Sequence, residues 1–185
     1  MGARMNRSLL VCLLALEIIF GCAFAPLCLS AQSTPKANDR LGNAFTVGWM
    51  LVDSNGDGVP DAMRGKIVVP ASPSAAENAA AANWAARLTH ASSGVTLPIV
   101  VTDSDSVGDG PHVWLGERAV PAGALRRLAS LISRLQKDEG GVFVADNDLV
   151  VVGKDDAGLF FAASSFAARS PYQWEVPGEI GRAHV

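Results

Sequence analysis

The sequence predicts an α+β fold of the α/β-sandwich type, with one mixed β-sheet and helices packed on one face of it. Two observations lead to this prediction. Short apolar, β-branched segments alternate with longer segments in which apolar residues recur every three or four positions. The resulting order along the chain is β-β-α-β-β-α-β-β-α, and a helix between two strands usually packs against their sheet.

The front of the predicted fold is a leader, a strand and a loop. Residues 32–44 are polar and are predicted to be a flexible leader. The segment 45–65 is predicted to hold a first strand, residues 45–52, followed by an Asp/Gly-rich loop. An α/β domain is predicted for residues 66–170, and it opens with a short apolar strand at residues 66–70.

Three helices are predicted within this domain. The first starts at Ser74, because Ser74 and Glu77 fit a capping box in which each side chain accepts the other residue's backbone N–H. The second has an apolar stripe over residues 125–135, and Gly140-Gly141 is expected to end it. The third is predicted over residues 157–168.

Two pairs of strands lie between these helices. Apolar runs at residues 97–102 and 112–116 flank an acidic loop and are expected to form a hairpin. A second hairpin is predicted from residues 142–144 and 149–152, which flank the turn residues 145–148.

Gly153 and Gly158 have the spacing of a phosphate-binding loop. No Lys followed by Ser or Thr comes after Gly158, so the motif does not predict phosphate binding. Gly158 is predicted instead to permit close packing of the third helix on the sheet.

The first 31 residues have the layout of a secretory signal peptide. Arg4 and Arg7 precede an apolar run interrupted only by Glu17, and small residues follow up to Ala31. All the cysteines fall in this segment: Cys12, Cys22 and Cys28. Cleavage after Ala31 therefore predicts a thiol-free chain exported to the periplasm or secreted. A signal anchor and a lipid-modified Cys22 are the alternatives, although the apolar run is shorter than the about 20 residues that span a membrane.

Composition is that of one globular domain. The 185-residue chain is 49% hydrophobic and 6% aromatic. Its net charge is −3, and removal of residues 1–31 takes away two arginines and one glutamate. A mildly acidic chain with no basic stripe argues against nucleic acid as a partner.

The strongest local motif is an oxygen-rich loop. Calcium takes six to eight oxygen ligands, and a glycine at position 6 of such a loop permits its sharp turn. The predicted ligands are Asp53, Asn55, Asp57, Val59 (through its carbonyl) and Asp61, with Gly58 at position 6. Position 12 of an EF-hand would be glutamate, whereas here it is Arg64. The loop therefore resembles the short calcium loops of thrombospondin type 3 repeats, and a metal-free β-turn is the alternative.

Other reactive side chains have structural interpretations. His90 and His112 lie at a helix end and a strand edge without metal-ligand spacing. Asp103, Asp105 and Asp109 share one Ser/Gly-containing loop and are predicted to be solvated. No catalytic residue is predicted in this chain. Trp84 and Trp114 are predicted in the core, and Trp174 is a candidate exposed contact.

Several short motifs resemble one known domain. They are residues 85–88 (AARL), 93–99 (SGVTLPI), 115–116 (LG), 138–144 (DEGGVFV) and 149–160 (LVVVGKDDAGLF). Over about residues 66–170 the chain resembles the non-catalytic N-terminal α/β domain of family 20 β-hexosaminidases and α-glucuronidases, the β-hexosaminidase domain 2-like fold. The resemblance implies a module that precedes a catalytic barrel, whose aspartate–glutamate pair would lie beyond residue 185. Residues 45–64 have no counterpart in this pattern.

The end of the chain bears on its function. Residues 180–185 (IGRAHV) match the in-frame translation of a common sequencing adapter, which predicts that they are an artefact; a natural polar C-terminus is the alternative. Residues 171–179 are then a linker to a downstream domain. The sequence thus predicts a non-catalytic accessory module of an exported bacterial hydrolase, with a carbohydrate-active enzyme favoured and polysaccharide as a further partner. The alternatives are a calcium-stiffened extracellular interaction domain with no enzyme downstream, and the N-terminal module of an exported zinc peptidase.

Overall fold

The computed structural model describes residues 41–169 and the backbone of residues 180–183. The predicted signal peptide, most of the leader and the predicted linker lie outside the described residues. Within the described part of the chain, no helix is long and apolar enough to cross a membrane.

Apart from a helical segment at residues 41–42, the described residues form eight strands, three α-helices and one short 3₁₀ helix. The strands are β1 (Leu51–Val52), β2 (Ala62–Met63), β3 (Lys66–Val69), β4 (Val100–Thr102), β5 (His112–Leu115), β6 (Gly140–Ala145), β7 (Asp148–Gly153) and β8 (Ile180–Ala183). The helices are α1 (Ala75–His90), α2 (Ala122–Ile132) and α3 (Asp156–Arg169), and the 3₁₀ helix is Glu117–Ala119.

Six of the strands form one mixed sheet in the order β4-β3-β5-β7-β6-β8. Strands β4, β3, β5 and β7 are parallel, and β6 runs antiparallel to both of its neighbours. The predicted mixed sheet with three helices is confirmed, as is the hairpin of β6 and β7. The expected hairpin of β4 and β5 is wrong, because both strands flank β3 and run parallel to it.

The helices cover both faces of the sheet, whereas the sequence predicted them on one face. Val113 and Leu115 of β5 share a core cluster with α1 and α3. Trp114, between them, belongs to a second cluster with α2. Side chains alternate across a strand, and every residue of β5 is buried. The central strands therefore need helical cover on both sides.

The helix boundaries match local expectations at the start of α1 but not at the end of α2. Ser74 Oγ accepts the N–H of Glu77 at 3.2 Å, and the Glu77 carboxylate accepts the N–H of Ser74 at 2.7 Å, which confirms the capping box. Helix α2 already ends at Ile132. The predicted stop at Gly140 and Gly141 is wrong, because both glycines belong to β6.

The front segment packs as turns and not as the strand predicted for residues 45–52. Only Leu51–Val52 is extended, and it pairs with β2 in a separate two-stranded ribbon. Phe45 packs against Trp84 and Phe166, because its ring gains more contact in the core than on a ribbon. Leu41 is buried in the same cluster, so the packed part of the chain includes residues assigned to the leader.

Candidate functional site

The carboxyl ends of β3 and β5 define a topological switch point. The two strands are parallel neighbours, but β3 leads into α1 on one face and β5 leads toward α2 on the other. In open α/β sheets, ligands bind in the crevice at such a point. This crevice is therefore the place in the fold where a small-molecule site is expected.

Side chains of the chain itself fill this crevice. Arg118 Nη2 donates to Glu77 Oε2 at 2.7 Å and to the Ser72 carbonyl at 3.2 Å. Glu77 is only 5% exposed, and its carboxylate also caps α1. A Cβ at Gly116 would lie closer than 3.0 Å to Glu77 Oε1, so the β5 loop leaves no space above that carboxylate. The Glu77–Arg118 pair thus joins the two loops that would otherwise frame a ligand.

The two partners of this pair are expected to differ in their contribution to stability. We expect Glu77→Ala to lower the free energy of unfolding by about 2 kcal/mol, because it removes the capping box and a buried acceptor. Arg118→Ala should cost less, because the Arg118 side chain is 59% exposed and the Glu77 carboxylate keeps its bond to the Ser74 N–H. Urea unfolding followed by circular dichroism measures both values. Equal losses for the two variants would contradict this division.

The predicted calcium loop connects β1 to β2 and is held by its own carboxylates. Asp53 accepts the N–H groups of Gly56 and Gly58, each at 2.7 Å. Asp61 accepts the backbone N–H and the hydroxyl of Ser54, both at 2.8 Å. The hydrogen bond from Gly58 is the main cause that holds the pKa of the Asp53 carboxyl below its usual value. Asp53 is therefore a charged anchor of the turn.

The middle of the loop repeats this pattern. Asn55 Oδ1 accepts the N–H of Asp57 at 3.0 Å, and Asp57 Oδ1 accepts the N–H of Val59 at 2.8 Å. Within residues 41–169, no three acidic, histidine or cysteine side chains come together as a group that could hold a metal. The predicted ligands lie on one short loop, but their geometry is that of a hydrogen-bonded turn.

An open cavity of about 480 Å³ lies beside α2 at the carboxyl end of β7. Its lining residues are Glu117, Leu125, Arg126, Ala129, Ile132, Ser133, Gly153 and Lys154. Charges of both signs therefore border an apolar surface from α2. This mixture is typical of contact surfaces between domains, which are more polar than a core.

Asp148 is a partly buried residue that links two strands, and sequence reasoning missed it. It accepts the backbone N–H of His112 at 2.9 Å and the indole N–H of Trp114 at 2.8 Å. The His112 ring lies 3.4 Å from Asp148 through Nδ1 and 3.1 Å from the Val107 carbonyl through Nε2. These contacts tie the start of β5 to the start of β7. Asp148 is more than thirty residues from both His112 and Trp114, so no local pattern indicates these contacts.

The other predicted residues have structural positions. Asp103, Asp105 and Asp109 lie in the exposed connection from β4 to β5. Trp84 and Trp114 are buried, as predicted, and Trp174 lies outside the described residues.

The comparisons with known proteins give no assignment. No protein-family model matches the chain, and no curated protein sequence matches it significantly. The resemblance based on sequence motifs therefore stays a prediction.

Proposed function

We propose that the chain is a non-catalytic module of an exported protein and that it packs against and positions a catalytic domain of the same polypeptide. The observation that supports this most is the filled crevice at the switch point. Glu77 and Arg118 occupy the position where an open α/β sheet would place a ligand. The half-buried Asp155 is likewise engaged in contacts within the chain. It accepts the N–H of Gly158 at 2.9 Å and that of Asp138 at 3.0 Å.

The cavity beside α2 supports a packing role. Arg126 and Lys154 are exposed cations on its lining, and Leu125 and Ile132 contribute partly buried apolar surface. A neighbouring domain with acidic and apolar side chains would complement this surface. We place the partner domain there.

We propose a carbohydrate-active hydrolase as the partner domain and polysaccharide as its substrate, on the basis of the motifs in residues 85–160. A zinc peptidase partner, or an extracellular interaction domain without an enzyme, is the alternative proposal.

Paired assays test this function. The purified chain and the product of the natural gene extended beyond residue 179 are incubated with 4-nitrophenyl β-N-acetylglucosaminide, 4-nitrophenyl glucuronide and casein. We expect no turnover by the chain alone and glycoside cleavage by the longer product. Chelator-sensitive casein cleavage by the longer product would favour the peptidase alternative, and inactivity of both would favour the interaction domain. Turnover by the chain alone would overturn the proposal of a non-catalytic module.

We also propose that the loop of Asp53, Asn55, Asp57, Val59 and Asp61 binds a structural calcium ion. Its support is that the carboxylate at position 1 already accepts the N–H of the position-6 glycine, Gly58, whose φ is 86°. This bond fixes the turn that calcium loops require.

Thermal unfolding with calcium and with chelator tests this site. Calcium should raise the melting temperature by a few degrees, about 2–4 °C for each 1 kcal/mol of linked binding energy. Asp57→Ala should abolish the response, whereas Asp109→Ala removes the same charge outside the loop and should preserve it. An unchanged melting temperature of the parent chain would identify a metal-free turn.

A further inference from the structure

The two edges of the six-stranded sheet are treated differently. At one edge, the backbone of β8 pairs with β6. At the other edge, β4 has β3 as its only partner strand among the described residues. An open strand edge offers backbone donors and acceptors to any extended chain, so proteins commonly block such edges.

The register of β4 shows which backbone groups face outward. Ile67 N donates to the Ile99 carbonyl at 2.9 Å, and Asp103 N donates to the Val69 carbonyl at 2.8 Å. In a parallel pair, alternate residues of a strand face the same neighbour. The N–H and C=O of Thr102, one residue before Asp103, therefore point away from the sheet.

Asp105 takes up both of these outward groups. Its Oδ2 accepts the N–H of Thr102 at 2.9 Å and the Thr102 hydroxyl at 2.8 Å, while its own N–H donates to the Thr102 carbonyl at 3.0 Å. The bond from the Thr102 backbone is also the main cause that lowers the pKa of the Asp105 carboxyl. A charged side chain thus lies against the open edge.

We infer that Asp105 masks a strand-pairing surface at the β4 edge, and that the partner this surface fits when unmasked is the same edge of a second copy of this chain. Two identical edges related by a two-fold axis run antiparallel and are self-complementary, because each supplies the same donor and acceptor. Leu97 and Val95 precede the strand and are 75% and 43% exposed. They would add apolar contact to such a dimer.

Sedimentation velocity over a range of concentrations tests the mask in the full chain. Asp105→Ala should raise the association constant about tenfold or more relative to the parent, because it frees the outward N–H of Thr102. Asp103→Ala is the matched control, since it removes the same charge two residues away and leaves the Thr102 contacts intact. Adding Leu97→Lys to Asp105→Ala should reverse the association, because a lysine at the edge opposes pairing.

Three results decide the inference. An unchanged association constant for a folded Asp105→Ala chain would overturn it. An equal rise of the association constant for Asp103→Ala would overturn it as well, because the change in net charge would then explain the association. If Asp105→Ala loses its native circular dichroism spectrum, Asp105→Val replaces it, with Asp103→Val as its control. Valine has no acceptor for the Thr102 N–H, so a rise in the association constant above that of the control supports the mask, and no rise contradicts it.

Discussion

Replacing Trp84 by alanine is expected to lower the free energy of unfolding by about 3–5 kcal/mol, a large part of the stability of an ordinary domain. The indole ring is fully buried between α1 and α3. It stacks on Phe166 with ring centres 5.2 Å apart and contacts Phe45 at 5.0 Å. Alanine would leave a cavity where α1, α3 and the front segment meet. Guanidinium unfolding followed by far-UV circular dichroism measures the loss.

Trp84→Phe is the matched control for this change. Among the described residues, Trp84 Nε1 is a buried donor with no hydrogen-bond partner. An unsatisfied buried donor costs about 1–3 kcal/mol, so removing it offsets part of the volume lost in phenylalanine. We therefore expect Trp84→Phe to lose much less stability than Trp84→Ala. If Trp84→Ala lowered the free energy of unfolding by less than about 1 kcal/mol, the close packing of Trp84 with Phe45 and Phe166 would be contradicted.

Elements that depend on nearby residues were predictable from the sequence. The start of α1 depends on Ser74 and Glu77, three residues apart, and the structure has the predicted capping box. The hairpin of β6 and β7 depends on the turn at residues 145–148, and Ala145 pairs with Asp148 as that turn requires. Helix α3 was predicted within one residue at each end. Each of these signals comes from residues that are close together in the sequence.

Elements that depend on distant partners were not predictable. The apolar runs that became β4 and β5 are equally compatible with a hairpin and with two strands on either side of β3, and only the β3 register decides between them. The face on which α2 packs also follows from the burial of both sides of β5. The composition of residues 45–52 predicts a strand. The position of Phe45 depends instead on its contacts with the rings of Trp84 and Phe166, which are distant in the sequence.

The same distinction applies to the candidate site. Glu77 was identified as a capping residue, but its contact with Arg118 joins residues 41 positions apart. The acidic loop after β4 is exposed, as its composition predicts. The role of Asp105 at the sheet edge depends on which backbone groups β3 leaves free, and this information is not in the loop sequence.

Gly158→Ala is expected to lower the free energy of unfolding by about 3 kcal/mol, although alanine is the better helix former. Gly158 lies in the first turn of α3, and a Cβ there would approach the Glu139 carbonyl oxygen closer than 3.0 Å. The obstacle is backbone and cannot rotate away. Helix α3 must therefore shift from the sheet, which disturbs the packing of Leu159 and Phe166. The helix-propensity gain of at most about 1 kcal/mol is too small to offset this strain.

Gly123→Ala is the matched control, since Gly123 lies in the first turn of α2 and its nearest neighbour to an added Cβ is the Arg127 side chain at 3.8 Å. We expect this variant to be as stable as the parent or more stable by up to about 1 kcal/mol. Both variants make the same chemical change in the first turn of a helix, so the difference in their unfolding free energies reports the approach of α3 to the Glu139 backbone. If Gly158→Ala were as well tolerated as Gly123→Ala, α3 would not lie against the start of β6 at the distance that the structure shows.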